Sequence, residues 1–278
     1  MITRSLKTTA TALAAVAALS FGLAGCGSDD DTATDGASTG GSSAPSLDLV
    51  SSGTLTVCSD VPYAPFEDFD KSASSGFKGF DIDIVSYIAQ DLGLQLKVLD
   101  EDFDGLQSGL TLNAGTCDVV ASALTITDDR AKNLDFSDSY YNSEQSLLVP
   151  DGSSIASLAD TSGKKIGVQK GTTGKSYATD NAPSDATIVD FPSDAELFQA
   201  LKAGQIDAIL QDYPVNYDHQ QAGGFTIAES YDTGEHYGLA VKKDNTDLVQ
   251  AIDGALQKMH DDGTYDKDYS QYFPPAAS

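Results

Sequence analysis

The chain has 278 residues, with 42 Asp or Glu against 16 Lys or Arg and a formal net charge of −26. That balance excludes the basic footprint of a nucleic-acid binder and electrostatic attachment to anionic lipid. The length suits one large domain or two modest ones, and a hydrophobic content of 40% is enough for a buried core.

The first element is a processing segment. Arg4 and Lys7 form a basic start, residues 10–21 an apolar stretch too short for a membrane span, and Leu23-Ala24-Gly25-Cys26 follows. The tetrad resembles the lipobox of bacterial lipoproteins. The resemblance implies a signal peptide over 1–25 and a lipidated Cys26; an ordinary secretory signal with an incidental cysteine is the alternative. Two acyl chains on Cys26 would hold the protein to the outer face of the cell membrane. Residues 26–46 are rich in Gly, Ser, Thr and Asp and read as a disordered tether. No later segment reaches 18 apolar residues, so the remainder is expected to be soluble. Cleavage removes Arg4 and leaves Arg130 as the only arginine.

From Leu47 short apolar runs alternate with helical patterns, which argues an α/β chain built from βαβ units. "TLTVCS" reads as a strand. "FDIDIVSYIAQDLG" reads as a helix, with Val85, Ile88, Ala89 and Leu92 on one face and Gly93 as its stop. "LQLKVLD" is a strand, "DFDGLQSGLTLNAG" a helix and "CDVVAS" a strand. Cys58 ends the first of these strands and Cys117 begins the third. As parallel neighbours they would lie on the order of 10 Å apart, so buried free thiols are expected.

The order then repeats. "KKIGVQ" is a strand, "TTGKSYATDN" a helix behind Gly171, and "ATIVDF" a strand. "SDAELFQALKAG" is a helix with a capping box of Ser193 and Glu196, and "IDAILQ" is a strand. Gly115-Thr-Cys-Asp118-Val-Val and Gly204-Gln-Ile-Asp207-Ala-Ile echo one another across the two sets. "YGLAVKKD", a helix with Leu248, Ile252, Ala255, Leu256 and Met259 inward, and a short aromatic helix around Tyr269, Tyr272 and Phe273 have no counterpart in the second set. They are expected to complete the first lobe. This gives a first lobe of 47–139 plus 238–278, a second of 145–232, and hinges at 140–144 and 233–237.

Ligands of α/β sheets bind outside the carboxyl ends of the strands. Asp60 and Tyr63 lie there after the first strand, Phe103 after the second, and Ser122, Thr125 and Arg130 after the third. Gly171, Thr172 and Thr173 form a helix N-terminus suited to an anion, and Asp212 follows the last strand of the second set. A guanidinium and a helix N-terminus suit a carboxylate. Asp212 and Thr125 suit an ammonium, and Tyr63 and Phe103 offer apolar faces. The set describes a zwitterion. Each residue also has a plainer reading. Arg130 could pair with Asp128 or Asp129, Asp60 could cap a turn before Pro62, and Tyr63 and Phe103 could be core aromatics. Asp212 could be a helix N-cap, and Gly171–Thr173 only a tight turn. His219, His236 and His260 show no metal-ligand spacing.

"GTLTVCSDVPYAPFE", "GFDIDIVSYIAQDLG", "ALTITDDRAKNLDFSDSYY", "GVQKGTTG", "LKAGQIDAILQD", "YGLAVKK" and "DGTYDKDYSQYF" follow in order from Gly53 to Phe273. In these the chain resembles the bacterial extracellular solute-binding proteins of family 3, the polar amino acid receptors of ABC importers. The resemblance implies a bilobed, periplasmic-binding-protein-like type II fold, two α/β lobes joined by two hinge strands. It implies that Arg130 grips an α-carboxylate with the amide near Thr173. Thr125, the carbonyl near Ala123 and Asp212 would hold the α-amine, and Tyr63 and Phe103 would flank the side chain. Asp60 would accept from the distal polar group. Ser122, Gln169 and Thr172 complete the set. Ala123 and Gly174 depart from longer polar residues found in some members. A carboxylate at Asp60 favours Arg, Lys or His, with Gln next. The expected partners are a free amino acid and an ABC permease, with no cofactor, no metal, a monomeric state and the lipid anchor as the sole membrane contact. A sensory domain or a dehydratase-like enzyme on the same fold are the rival readings.

Overall fold

The computed structural model describes residues 47–273. The segment read as signal peptide, Cys26 and tether lies outside the described residues. The first part of the chain forms β1 (Thr54–Ser59), a hairpin of β2 (Asp68–Phe69) and β3 (Phe77–Lys78), α1 (Phe80–Asp91) and β4 (Gln95–Asp100). It continues through α2 (Phe103–Gln107), α3 (Leu110–Asn113), β5 (Val119–Val120), a 3₁₀ turn at Arg130–Lys132 and β6 (Leu134–Phe136). The middle holds β7 (Tyr141–Pro150), β8 (Lys165–Gln169), α4 (Thr173–Asn181), β9 (Thr187–Phe191), α5 (Asp194–Lys202), β10 (Ala208–Asp212), α6 (Tyr213–Gln221) and β11 (Phe225–Tyr237). β12 (Ala240–Lys242), α7 (Thr246–Asp261) and α8 (Thr264–Tyr272) close the described chain.

The strands form two five-stranded sheets, ordered β4-β1-β5-β12-β6 and β11-β7-β10-β8-β9. In each, the first strand of the local set (β1 or β8) sits between its second and third, paired parallel to both. β12 pairs antiparallel with β5 and β6, so the end of the chain enters the first sheet. β7 and β11 pair antiparallel from Phe225↔Pro150 to Tyr237↔Tyr141 and supply both connections between the sheets.

The echoed aspartates have one physical role. Asp118 accepts from the Thr56 backbone N–H at 2.8 Å, and Asp207 accepts from Lys165 N–H at 2.8 Å. Each carboxylate thus satisfies a donor one residue before the ladder to the neighbouring parallel strand begins, at Val57 or Ile166. Asp118 takes the Val50 N–H as well, at 2.6 Å.

Amphipathic periodicity placed the long helices correctly. Val85, Ile88 and Ala89 of α1 are buried and Leu92 is half-buried; Leu248, Ile252, Ala255, Leu256 and Met259 of α7 are all buried. Phe80, at the head of α1, meets Tyr265, Tyr269, Tyr272 and Phe273 at 5.2–6.0 Å between ring centres.

Several expectations need correction. The helix read over 102–115 is two, because Gly109 has φ 78° and α2 cannot continue through it. Only half of the capping box forms: Ser193 accepts from Glu196 N–H. The β2–β3 hairpin and β6 were not foreseen. Cys58 and Cys117 are joined in a disulfide, with Cα atoms 5.9 Å apart, and are not free thiols. The error lay in the strand. β5 pairs over Val119–Val120 alone, so Cys117 precedes it and is not held to extended spacing. Both cysteines are buried in one cluster with Leu106 and Leu112.

Candidate functional site

Residues at the carboxyl ends of strands from both sheets meet around one narrow cavity, with about 300 Å³ of empty space when the part open to solvent is counted. The first sheet contributes Asp60 and Tyr63 after β1, Phe103 after β4, and Ser122, Ala123, Thr125 and Arg130 after β5. The second contributes Gln169 at the end of β8, Thr172 and Thr173 at the head of α4, and Asp212 at the end of β10. All the residues singled out as ligand contacts line this one space.

Arg130 is 6% exposed. Its guanidinium donates to the Thr125 carbonyl at 2.7 Å and to the Gly171 carbonyl at 3.0 Å, and lies 5.4 Å from the centre of the Phe103 ring. It pairs with no carboxylate among the described residues. Asp129 instead pairs with Lys132 on the exposed side, and Asp128 is exposed. Burial pulls the Arg130 pKa down to about 10, with Asp212 and Glu235 opposing. At neutral pH the site therefore holds a buried cation without a counter-ion in contact. Such a charge is costly unless an anion joins it.

The carboxylates lie around the rest of the cavity. Asp60 accepts from Gln169 Nε2 at 2.5 Å, and burial pushes its pKa up to about 7 despite that bond. The turn beyond it is held by Asp100, which takes the Val61 N–H at 3.1 Å, so Asp60 is not the turn cap. Asp212 makes no side-chain cap to α6. It accepts from Tyr63 Oη at 2.7 Å and from Gln145 Nε2 at 2.5 Å, and burial together with Glu235 raises it to about 6. Tyr63 and Gln169 thereby make polar contacts between the two halves.

Two further acids support the loop from behind. Ser122 Oγ donates to Glu67 Oε1 at 2.7 Å. Ala123 has φ 44°, and its N–H donates to Asp81 at 2.8 Å. Tyr140 donates to Asp81 as well. Glu67 and Asp81 are fully buried, and desolvation raises both pKa values. A left-handed non-glycine residue is strained; the Asp81 bond holds it.

The family model for bacterial extracellular solute-binding proteins, family 3, matches residues 55–275. The chain belongs to that family. Among its relatives, the ABC transporter glutamine-binding protein GlnH of Bacillus subtilis is 37% identical over 206 residues, 73% of this chain and 75% of that protein. The lysine/arginine/ornithine-binding periplasmic protein of Escherichia coli is 32% identical, over 79% of this chain and 87% of that one. An ancestral arginine-binding protein bound to arginine superposes with a TM-score of 0.73 at 39% identity, over 80% of this chain and 98% of that chain.

Within this solute-binding protein, Gly174 changes meaning. It does not line the cavity, and a Cβ there would lie 2.8 Å from Gln145 Oε1 and 3.1 Å from the Leu210 carbonyl. Its lack of a side chain lets α4 lie against β10. Phe103 lies against Arg130 itself, a contact the sequence reading did not foresee. That reading also missed Glu67, Asp81, Gln145 and Glu235. Glu235 had a signal: Thr233, Glu235 and Tyr237 share a face of an alternating strand in the segment marked as a hinge.

Proposed function

We propose that this solute-binding protein captures a free polar amino acid outside the cytoplasm and presents it to the permease of an ABC importer. Cationic ligands (arginine, lysine or histidine) fit best, and glutamine is next. The observation that carries this reading is the buried Arg130 guanidinium without a carboxylate partner, lining a cavity whose other charged groups are Asp60 and Asp212. An α-carboxylate supplies the missing anion with fork geometry. An α-ammonium answers Asp212 and the Thr125 oxygen, and a cationic side chain answers Asp60. Tyr63 and Phe103 add cation–π attraction on the order of 1 kcal/mol.

The lobes are 47–139 plus 238–278 and 145–232, and the crossings at 140–144 and 233–237 act as hinges. A ligand that touches both lobes favours closure through that differential contact alone. The protein binds and releases its ligand without chemical change, as a monomer held to the membrane by lipid on Cys26. No helix of the described residues is long and apolar enough to cross a membrane.

A thermal-shift screen across the twenty amino acids tests the reading. Basic amino acids are expected to stabilise most, glutamine next and glutamate least. Failure of every amino acid to stabilise the protein would overturn it.

A further inference from the structure

Glu235 of β11 touches both sides of the cavity. Its Oε2 accepts from Thr125 Oγ1 and from Thr173 Oγ1, each at 2.8 Å. Its Oε1 accepts from Thr233 Oγ1 at 2.9 Å and Gln145 Nε2 at 3.1 Å. The same Gln145 amide donates to Asp212 at 2.5 Å. One amide thus bridges two carboxylates beside the two threonines.

A threonine hydroxyl has one hydrogen and two lone pairs. Thr125 and Thr173 both give that hydrogen to Glu235, so they offer the cavity only lone pairs. Their oxygens lie 3.5 Å apart, close enough for one small donor group to reach both. An ammonium has three donors and no acceptor and suits this end. A carboxylate would meet lone pairs there, with Asp212 beside them. Its donors are the Arg130 guanidinium, which is held on the Thr125 and Gly171 carbonyls, and the backbone at the head of α4.

We propose that Glu235 is a positioning residue that fixes the polarity of the two threonine hydroxyls, so that this end of the cavity accepts the α-ammonium of the ligand and rejects its carboxylate. The proposal rests on the amino acid reading above. It assigns the Thr173 hydroxyl to the ammonium and leaves the backbone at the head of α4 for the carboxylate. In Glu235→Gln the carboxamide keeps its oxygen toward Gln145 Nε2, a donor also held by Asp212, so its NH2 faces the two threonine oxygens and both hydroxyl hydrogens turn toward the ligand.

The test compares each amino acid with its α-deamino analogue by calorimetric titration of wild type and Glu235→Gln. L-arginine, L-lysine, L-histidine and L-glutamine are screened, and the tightest is paired with its analogue (5-guanidinopentanoate for arginine). The variant is expected to lose about tenfold or more in affinity for the amino acid, and less than about threefold for the analogue. Equal losses for both ligands would reduce Glu235 to a structural role and overturn the proposal, as would no loss. Thr173→Val gives a second arm should Glu235→Gln not fold: it removes one lone-pair group and leaves Glu235 in place. It is expected to show the same selective loss, and an unselective one would overturn the proposal. Wild type that binds none of the four amino acids would instead defeat the underlying reading.

Discussion

Arg130 donates to the Gly171 carbonyl at 3.0 Å, from the loop after β5 to the turn that opens α4. Its other bond, to the Thr125 carbonyl, holds the guanidinium against its own loop. A guanidinium has five donors, so donors remain for a ligand.

Arg130→Ala is therefore expected to weaken amino acid binding by about a hundredfold or more, because a buried carboxylate would lose its charged fork. Arg130→Lys is expected to be nearly as poor, since an ammonium cannot donate in parallel. Isothermal titration measures both, and near-normal affinity in the alanine variant would remove Arg130 from the site.

Asp60→Asn separates charge from hydrogen bonding in the side-chain end of the cavity. Cationic amino acids are expected to lose about tenfold, and glutamine less than about threefold, because only the former use the negative charge. Equal losses would place Asp60 outside ligand contact.

The acids give opposite pH trends for stability and for binding. Folded pKa values of about 7 for Asp60 and about 6 for Asp212 lie above the ordinary carboxylate value of 3.8, chiefly through burial. The folded chain therefore holds protons that the unfolded chain releases. Their contribution to stability is full below about pH 4 and is lost as pH rises through the folded values. Cation binding needs the ionised forms, so affinity for a basic amino acid falls as pH drops from about 7.5 to 5, by up to roughly tenfold per unit for each group. Titrations and ligand-free melts across this range check both signs. A flat affinity profile would count against either acid contacting the cation.

The Cys58–Cys117 disulfide closes a separation of 59 residues. In the chain-entropy model its loss costs about 4 kcal/mol. Reduction, or replacement of both cysteines by alanine, is expected to lower the melting temperature while leaving ligand affinity at 25 °C nearly unchanged, because neither cysteine lines the cavity. Two reactive thiols in unreduced, denatured protein would show the bond to be absent.

The internal echo was legible because Asp118 and Asp207 solve the same local problem, an N–H just before a parallel ladder begins. The lining of the cavity was legible for a related reason: residues just past the carboxyl ends of strands have no other direction to face. Phe103 and Gly174 were harder. What matters at each is a neighbour distant in sequence, Arg130 for one and Gln145 with Leu210 for the other.

The sequence by itself determined the alternation of elements, the inward faces of α1 and α7, and which strand ends could carry a site, since these follow from periodicity and turn chemistry within a few residues. Tertiary structure alone decided three things: that Cys117 leaves the line of β5 and reaches Cys58, that two buried acids hold the Ala123 loop, and that Glu235 takes the hydrogens of Thr125 and Thr173. Each depends on how the chain returns across 42 to 110 residues. No local pattern records where a distant carboxylate or thiol will lie once the sheets have packed.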